Sequence, residues 1–160
     1  MKLNKSSFTT LVCRWAKLLT GLAFIGFSIA FMKHANLGLG PWDVLNDSLA
    51  GLTGIQLGTV SIIVGAIVLL FWIPVREKPG IALIPSIVLI GVFTNIGITF
   101  VASASSAFQR SAWLITGILL ASFGSALYLG SQLGSGPRDG LMLGLSRKTG
   151  WSVGRTRTGL

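Results

Sequence analysis

The 160-residue chain is 51% hydrophobic and only 11% charged, and its formal net charge is +9. Long apolar runs with few charges are typical of membrane spans and exclude a soluble globular domain. The basic residues stand at the ends of these runs, which excludes a nucleic-acid-binding face and indicates contact with lipid headgroups. The single cysteine, Cys13, excludes an internal disulfide and a multi-cysteine metal site.

The apolar runs predict four transmembrane helices, interrupted by two shorter polar helices. An apolar run at 18–32 predicts the first span, which begins near Trp15, and no signal-peptide cleavage site follows it. Gly38, Gly40 and Pro41 then end the helix in a turn, and Pro41 suits the first position of a new helix. That helix, 41–52, is about 18 Å long against a bilayer core of about 30 Å, so we expect a re-entrant or interfacial half-helix. The remaining elements are spans at 57–73, 81–101 and 112–129 and a second half-helix at 137–148.

One stretch of sequence occurs twice. Residues 37–45 read L-G-L-G-P-W-D-V-L, and residues 133–141 read L-G-S-G-P-R-D-G-L, 96 positions later. Over positions 14–60, 17 of the 47 residues are identical to those 96 positions further on. This internal repeat divides the chain into an N-terminal tail at 1–13, a first membrane repeat at 14–109 and an incomplete second repeat at 110–160.

The distribution of basic residues predicts the topology. If the half-helices do not cross the membrane, 11 basic residues share one side and only Lys33 and Arg110 lie on the other, which places the N-terminus in the cytoplasm. If residues 41–52 crossed, this bias would largely vanish. The first repeat then contains three spans, and this odd number makes the second repeat enter in the opposite orientation. We therefore predict an all-α polytopic membrane protein with an inverted-topology repeat of period 96.

Matching helix breaks in the two halves of an inverted repeat indicate a substrate site between them. A broken helix leaves backbone amides and carbonyls unpaired, and these groups can bind ions where water is scarce. The predicted pathway residues are Asn36, Gly38, Gly40, Pro41, Trp42, Asp43, Asn46, Asp47, Gln132, Gly134, Gly136, Pro137, Arg138 and Asp139. For Asp43 and Asp139, capping of a helix N-terminus is the alternative to binding an ion, a proton or a substrate.

Other polar residues have simpler interpretations. Arg14 and Arg110 each start a span, which favours headgroup anchoring. His34 stands beside Lys33 at a helix end, where an interfacial or C-capping role is favoured over metal binding. Asn95 is expected to form a hydrogen bond to a neighbouring helix. No Ser/His/Asp, Cys/His or His-cluster arrangement is present in the sequence, so it predicts no enzyme activity, no metal site and no cofactor.

The paired motifs G-L-G-P-W-D-V-L and G-S-G-P-R-D-G-L, with G-W-S-V-G-R-T at 150–156, resemble those of the YczE/YyaS/YitT-like bacterial integral membrane family. The resemblance covers essentially the whole chain. It implies a polytopic protein of the bacterial inner membrane and says little about a substrate. Members of that family look longer, with at least one further span after the second motif, so we expect the chain to be C-terminally truncated relative to them.

Two functions from different classes follow. The first is membership of a small-molecule or ion transporter family, with the site between the two broken segments. The alternative is a non-transporting membrane scaffold or a regulatory partner of another complex, since an incomplete second repeat needs a cover for its polar half-helix. Membrane lipid is the predicted partner, and a second copy of the chain or another membrane protein are the open alternatives.

Overall fold

All regular structure in the described part of the chain is α-helical. The computed structural model describes residues 5–70, 80–134, 136, 137, 140, 146 and 149–152. Its elements are α1 (Lys5–Ala35), α2 (Pro41–Thr53), α3 (Leu57–Leu70), α4 (Leu83–Phe100) and α5 (Ala107–Gly130). The predicted all-α class is therefore confirmed. Two helices begin earlier than the apolar runs predict: α1 extends into the basic N-terminal stretch, and α5 starts at Ala107 because the Ser106 hydroxyl caps it by accepting from the Gln109 amide.

Among the described residues, three helices are long and apolar enough to cross a membrane: Thr10–Ala35 within α1, α4 and α5. The 18 residues of α4 extend about 27 Å, close to the thickness of a bilayer core. The short helices α2 and α3 pass the same test only as a pair, and they are bent by 115° at the break between them. This bend agrees with the predicted half-helix at 41–52. If the bent pair is counted as one span, the described residues contain up to four spans, as expected for a polytopic membrane protein.

Helix α1 lies between α4 and α5. It runs parallel to α4, because Leu18 and Leu22 cluster with Ala82 at one end of the bundle and His34 contacts the Ile98 carbonyl at the other. The α3 helix packs antiparallel on α4 through Gly58, whose added Cβ would collide with the Gly91 carbonyl oxygen. Small residues let helix backbones approach closely, which is a main source of attraction between apolar helices in lipid.

The contact between α1 and α5 is reciprocal about the 96-residue offset. A Cβ added to Gly21 would lie 2.7 Å from the Gly124 carbonyl oxygen and 2.7 Å from the Tyr128 amide. A Cβ added to Gly117, which is Gly21 plus 96, would lie 3.0 Å from the carbonyl oxygen of Ser28 and 3.3 Å from the amide of Met32. Ser28 and Met32 are in turn the positions 96 before Gly124 and Tyr128. The two helices are thus antiparallel, and each packs one glycine on the equivalent positions of the other helix.

Backbone conformation also recurs with the repeat. Asn36 and Gln132 have φ angles of 54° and 56°, and Gly38 and Gly134 have φ angles of 146° and 124°. Left-handed φ values favour glycine and are tolerated by Asn at helix ends, which explains the break after α1. The second half-helix is only partly described, and Pro137, Gly140, Ser146 and Thr149 are helical. The orientation of the two repeats in a membrane stays a prediction.

Candidate functional site

A cavity of about 510 Å³, lined by both polar and apolar groups, lies at the end of α1, where the chain turns into α2. Its walls come from the last turn of α1, the turn after it, one side of α2 and the loop between α4 and α5. The lining residues are Met32, Lys33, His34, Asn36, Gly38, Leu39, Val44, Asp47, Ser48, Ser103 and Ala104. We call it the Lys33 cavity. Its size is within the range of small-molecule sites.

Lys33 and Asp47 form an ion pair in this cavity and connect α1 to α2. Lys33 lies in the last turn of α1, where a positive charge is stabilised by the negative end of the helix dipole. The two side chains are 33% and 35% exposed, so the pair remains accessible to solutes that enter the cavity. The two formal charges compensate each other when no other ion is present.

His34 connects α1 to the end of α4. Its Nε2 is 3.1 Å from the Ile98 carbonyl oxygen, and its Nδ1 is 3.0 Å from the Ser103 hydroxyl. Because a carbonyl oxygen can only accept, Nε2 carries the proton, and in the neutral ring Nδ1 accepts from Ser103. The Ile98 carbonyl belongs to the last turn of α4, so His34 caps the C-terminal end of α4, whereas the predicted capping role concerned its own helix.

The predicted pathway residues of the first motif separate into two groups. Asn36, Gly38 and Asp47 line the Lys33 cavity. Gly40, Pro41, Trp42 and Asp43 instead form the start of α2, where Gly40 is the N-cap residue and makes no side-chain cap bond. Asp43 lies in the first turn, and a Cβ added to Gly40 would be 3.1 Å from its Oδ2. The cavity and the α2 N-terminus are therefore neighbouring but distinct parts of the break.

Asn46 is fully buried and joins α2 to α3. Its Nδ2 donates to the Ser61 hydroxyl at 3.0 Å. Its Oδ1 has no hydrogen-bond partner among the described residues. Buried amide groups are costly unless they are paired, so this bond holds the two helices of the bent pair in register.

The second motif lies at the other end of α4. Gly134 contacts Gly80, each with its Cα 2.6–2.7 Å from the Cβ that the other would carry, and the Ala82 amide donates to the Leu133 carbonyl at 3.1 Å. Gly136 and Pro137 are buried, while Gln132 is exposed. Arg138 and Asp139 lie outside the described residues. The two motif copies thus border opposite ends of one helix of about 27 Å.

Sequence reasoning did not assign Lys33, His34 and Ser103 to a site. In the sequence Lys33 indicates only topology, and Asp47 lies 14 positions further on, beyond a turn, so no helical spacing connects the two charges. Within the described ranges, no group of three His, Cys, Asp or Glu side chains could hold a metal ion. The arrangement instead offers an ion pair, an imidazole and hydroxyl groups, which suits a small charged or polar solute.

The chain is similar to known proteins over most of its length. Residues 12–160 match a family of unknown function (DUF6198). A Haemophilus influenzae protein described as uncharacterized is 34% identical over 143 residues, which are 89% of this chain and 66% of that protein. A Bacillus subtilis protein described as "Uncharacterized membrane protein YczE" is 35% identical over 153 residues, 94% of this chain and 71% of that protein. The chain therefore spans about two thirds of the length of these relatives.

No solved structure matches the chain. The relationship to the Bacillus subtilis membrane protein confirms the resemblance that the paired G-x-G-P-x-D motifs indicate, and it agrees with the apolar helices α1, α4 and α5. The chain therefore belongs to the DUF6198 family of membrane proteins.

Proposed function

We propose that the chain belongs to a family that transports a small charged solute, and that the Lys33 cavity is the solute site of its first broken span. The observation that carries the proposal is an accessible ion pair, Lys33–Asp47, in a cavity beside a helix pair bent by 115°. Charged side chains are rare and costly within apolar membrane helices, and they are usually kept for binding or conduction.

The break itself supports the same function. Irregular backbone is tolerated at membrane depth only where protein surrounds it or a water-filled cavity adjoins it. The turn at Asn36–Gly40 borders the Lys33 cavity, and its conformation recurs in the second motif at Gln132 and Gly134. Transporters with inverted repeats use such matched breaks at their substrate sites and alternate by rocking one half against the other. The reciprocal glycine contacts of α1 and α5 are a suitable surface for that movement.

We place the N-terminus in the cytoplasm and the Lys33 cavity at the external face of the plasma membrane. The Ala104 amide donates to the His34 carbonyl at 3.2 Å, so the end of α1 and the loop before α5 share one end of the bundle. Lys33 and Arg110 therefore lie at one end of the bundle, whereas Arg14 and Lys17 lie near the start of α1 at the other end. A cytoplasmic N-terminus satisfies the positive-inside bias, and the opposite placement violates it.

The test is solute-induced current in proteoliposomes on a solid-supported membrane. The purified chain is exposed in turn to a mixture of the common amino acids and to NaCl, KCl and NH₄Cl. We expect a current with one of these solutions, and at least about a tenfold loss in the double variant Lys33→Gln/Asp47→Asn, since both charges of the site are removed. Lys17→Gln, an exposed position of α1, is the matched control.

Two outcomes refute the proposal. One is the absence of any current from correctly inserted protein, which would favour the scaffold function instead. The other is an undiminished current in the double variant, which would remove the Lys33 cavity from the pathway. A second double variant, Asp43→Asn/Asp139→Asn, tests the carboxylates of the two motif copies independently of the Lys33 cavity. Unchanged flux in this variant would assign those two carboxylates to capping.

A further inference from the structure

The α4 helix covers one definite stripe of α1. The covered positions are Gly26, Phe27, Ala30 and His34, which lie on one helix face. The Thr94 hydroxyl reaches the Gly26 carbonyl at 3.3 Å. A Cβ added to Gly97 would lie 2.7 Å from the Ala30 Cβ. Close approach, a side-chain hydrogen bond and apolar contacts thus hold α4 on this stripe.

The equivalent stripe of α5 is open. Adding 96 to the four covered positions gives Ser122, Phe123, Ala126 and Gly130, which we call the α5 outer face. All four residues are exposed, and Phe123 retains 67% of its accessible surface whereas Phe27 is partly buried. A Cβ added to Gly130 would meet nothing within 4 Å. The α5 outer face is therefore uncovered where its counterpart on α1 is packed.

We infer that the α5 outer face binds an apolar transmembrane helix that is the second-repeat equivalent of α4. The contacts of Gly21 on α5 and of Gly117 on α1 show that the two helices pack through equivalent positions of the repeat. The same correspondence maps the stripe of α1 that α4 covers onto the α5 outer face. The surface is thus a continuation of an interface that the first repeat already forms, which distinguishes it from an ordinary lipid-facing helix side.

The residues of the α5 outer face specify the helix that fits. The absence of a side chain at Gly26 makes room for Phe93, whose Cβ would be 2.5 Å from a Cβ at that position. Ser122 fills the equivalent place, so the bound helix carries a residue smaller than Phe opposite it, and a polar group there pairs with the Ser122 hydroxyl. Phe123 and Ala126 supply the apolar remainder of the contact.

The source of this helix is the part of the family's sequence that the chain does not match. The 96-residue offset places the equivalent of α4 beyond Leu160. The Haemophilus influenzae and Bacillus subtilis relatives contain further sequence, since the match includes 66% and 71% of their lengths. The occupant is therefore a helix from that unmatched part, bound to the 160-residue chain.

The experiment is site-specific photocrosslinking in membranes. The full 160-residue chain carries a photoreactive phenylalanine in place of Phe123, and the unmatched part of the Bacillus subtilis relative is co-expressed as a tagged fragment. Val92 on α4, which is 39% exposed, is the matched control position. The two positions precede Gly124 and Phe93, which pack beside Ile25 and Gly26, so they lie at similar depth in the bundle.

We expect about tenfold more tagged adduct from position 123 than from position 92, a modest preference in binding terms. Ser122→Trp should abolish that excess by filling the face, whereas Val88→Trp on α4 should preserve it. An adduct between two copies of the 160-residue chain at position 123 would overturn the assignment of the occupant. Equal yields at both positions, or only lipid adducts with the fragment in the same membrane, would overturn the docking site itself.

Discussion

Replacement of Gly21 by Ala tests the close approach of α1 and α5. The added Cβ would lie 2.7 Å from two backbone atoms of α5, the Gly124 carbonyl oxygen and the Tyr128 amide nitrogen. Ordinary contacts of carbon begin near 3.5 Å, so the helices must separate by about 0.8 Å, which forfeits a quarter to a half of the attraction at the contact. Overpacking of this kind costs about 1–3 kcal/mol, and the higher helix propensity of Ala offsets about 0.5–1 kcal/mol.

We therefore expect Gly21→Ala to lower the free energy of unfolding by about 1 kcal/mol, and by no more than about 2.5 kcal/mol. The assay is reversible unfolding in mixed micelles, followed by tryptophan fluorescence as dodecyl sulfate is increased. Gly117→Ala should cost less, because its nearest neighbour is the flexible Met32 side chain at 2.6 Å. Gly51→Ala is the control, since a Cβ there meets nothing within 4 Å. A larger loss for Gly117→Ala than for Gly21→Ala would refute the packing explanation.

Three further predictions concern hydrogen bonding, charge and topology. Asn95→Leu should destabilise the chain by about 1–2 kcal/mol in the same unfolding assay, because its Oδ1 accepts from an amide at the start of α3 at 2.8 Å; wild-type stability would contradict this. A double-mutant cycle of Lys33→Gln and Asp47→Asn should give a coupling of at most about 1 kcal/mol, since the pair is about one third exposed; a much larger coupling would indicate a dry site. In a chain without its native cysteine, impermeant thiol reagents should label Ser105→Cys and not Leu160→Cys in intact cells; the reverse pattern would contradict the inverted topology.

The helix breaks could be predicted from sequence because they depend on local backbone chemistry. Pro41 begins α2 as predicted, and Gly54, with φ of 70°, ends it. Gly150 has the same φ in the second copy. Proline at a helix start and glycine after a helix end are determined by one residue and its neighbours, so they need no knowledge of the tertiary fold. The interhelical hydrogen bond of Asn95 was predictable too, since a buried amide in an apolar helix requires a partner.

The cavity could not be predicted in the same way. A search guided by the repeat gives weight to residues that both copies share, but Lys33 and His34 have Leu129 and Gly130 as their counterparts. Their contacts also connect segments that are distant in sequence: the His34 ring reaches Ser103, 69 residues away. Such contacts depend on how α1, α4 and the loop after α4 pack. The start of α1 was missed for another reason, because hydropathy measures membrane depth and a helix can continue beyond it.

The two motif copies hold α4 at both of its ends. At its C-terminal end, His34, which precedes the first motif, contacts the Ile98 carbonyl and Ser103. At its N-terminal end, the Ala82 amide donates to the carbonyl of Leu133, the first residue of the second motif. Under the proposed function, displacement of one break by a solute would be transmitted along α4 to the other break. The first break carries the Lys33–Asp47 pair, and at the second break Gly134 packs on Gly80, so the proposed function assigns solute recognition to the first break.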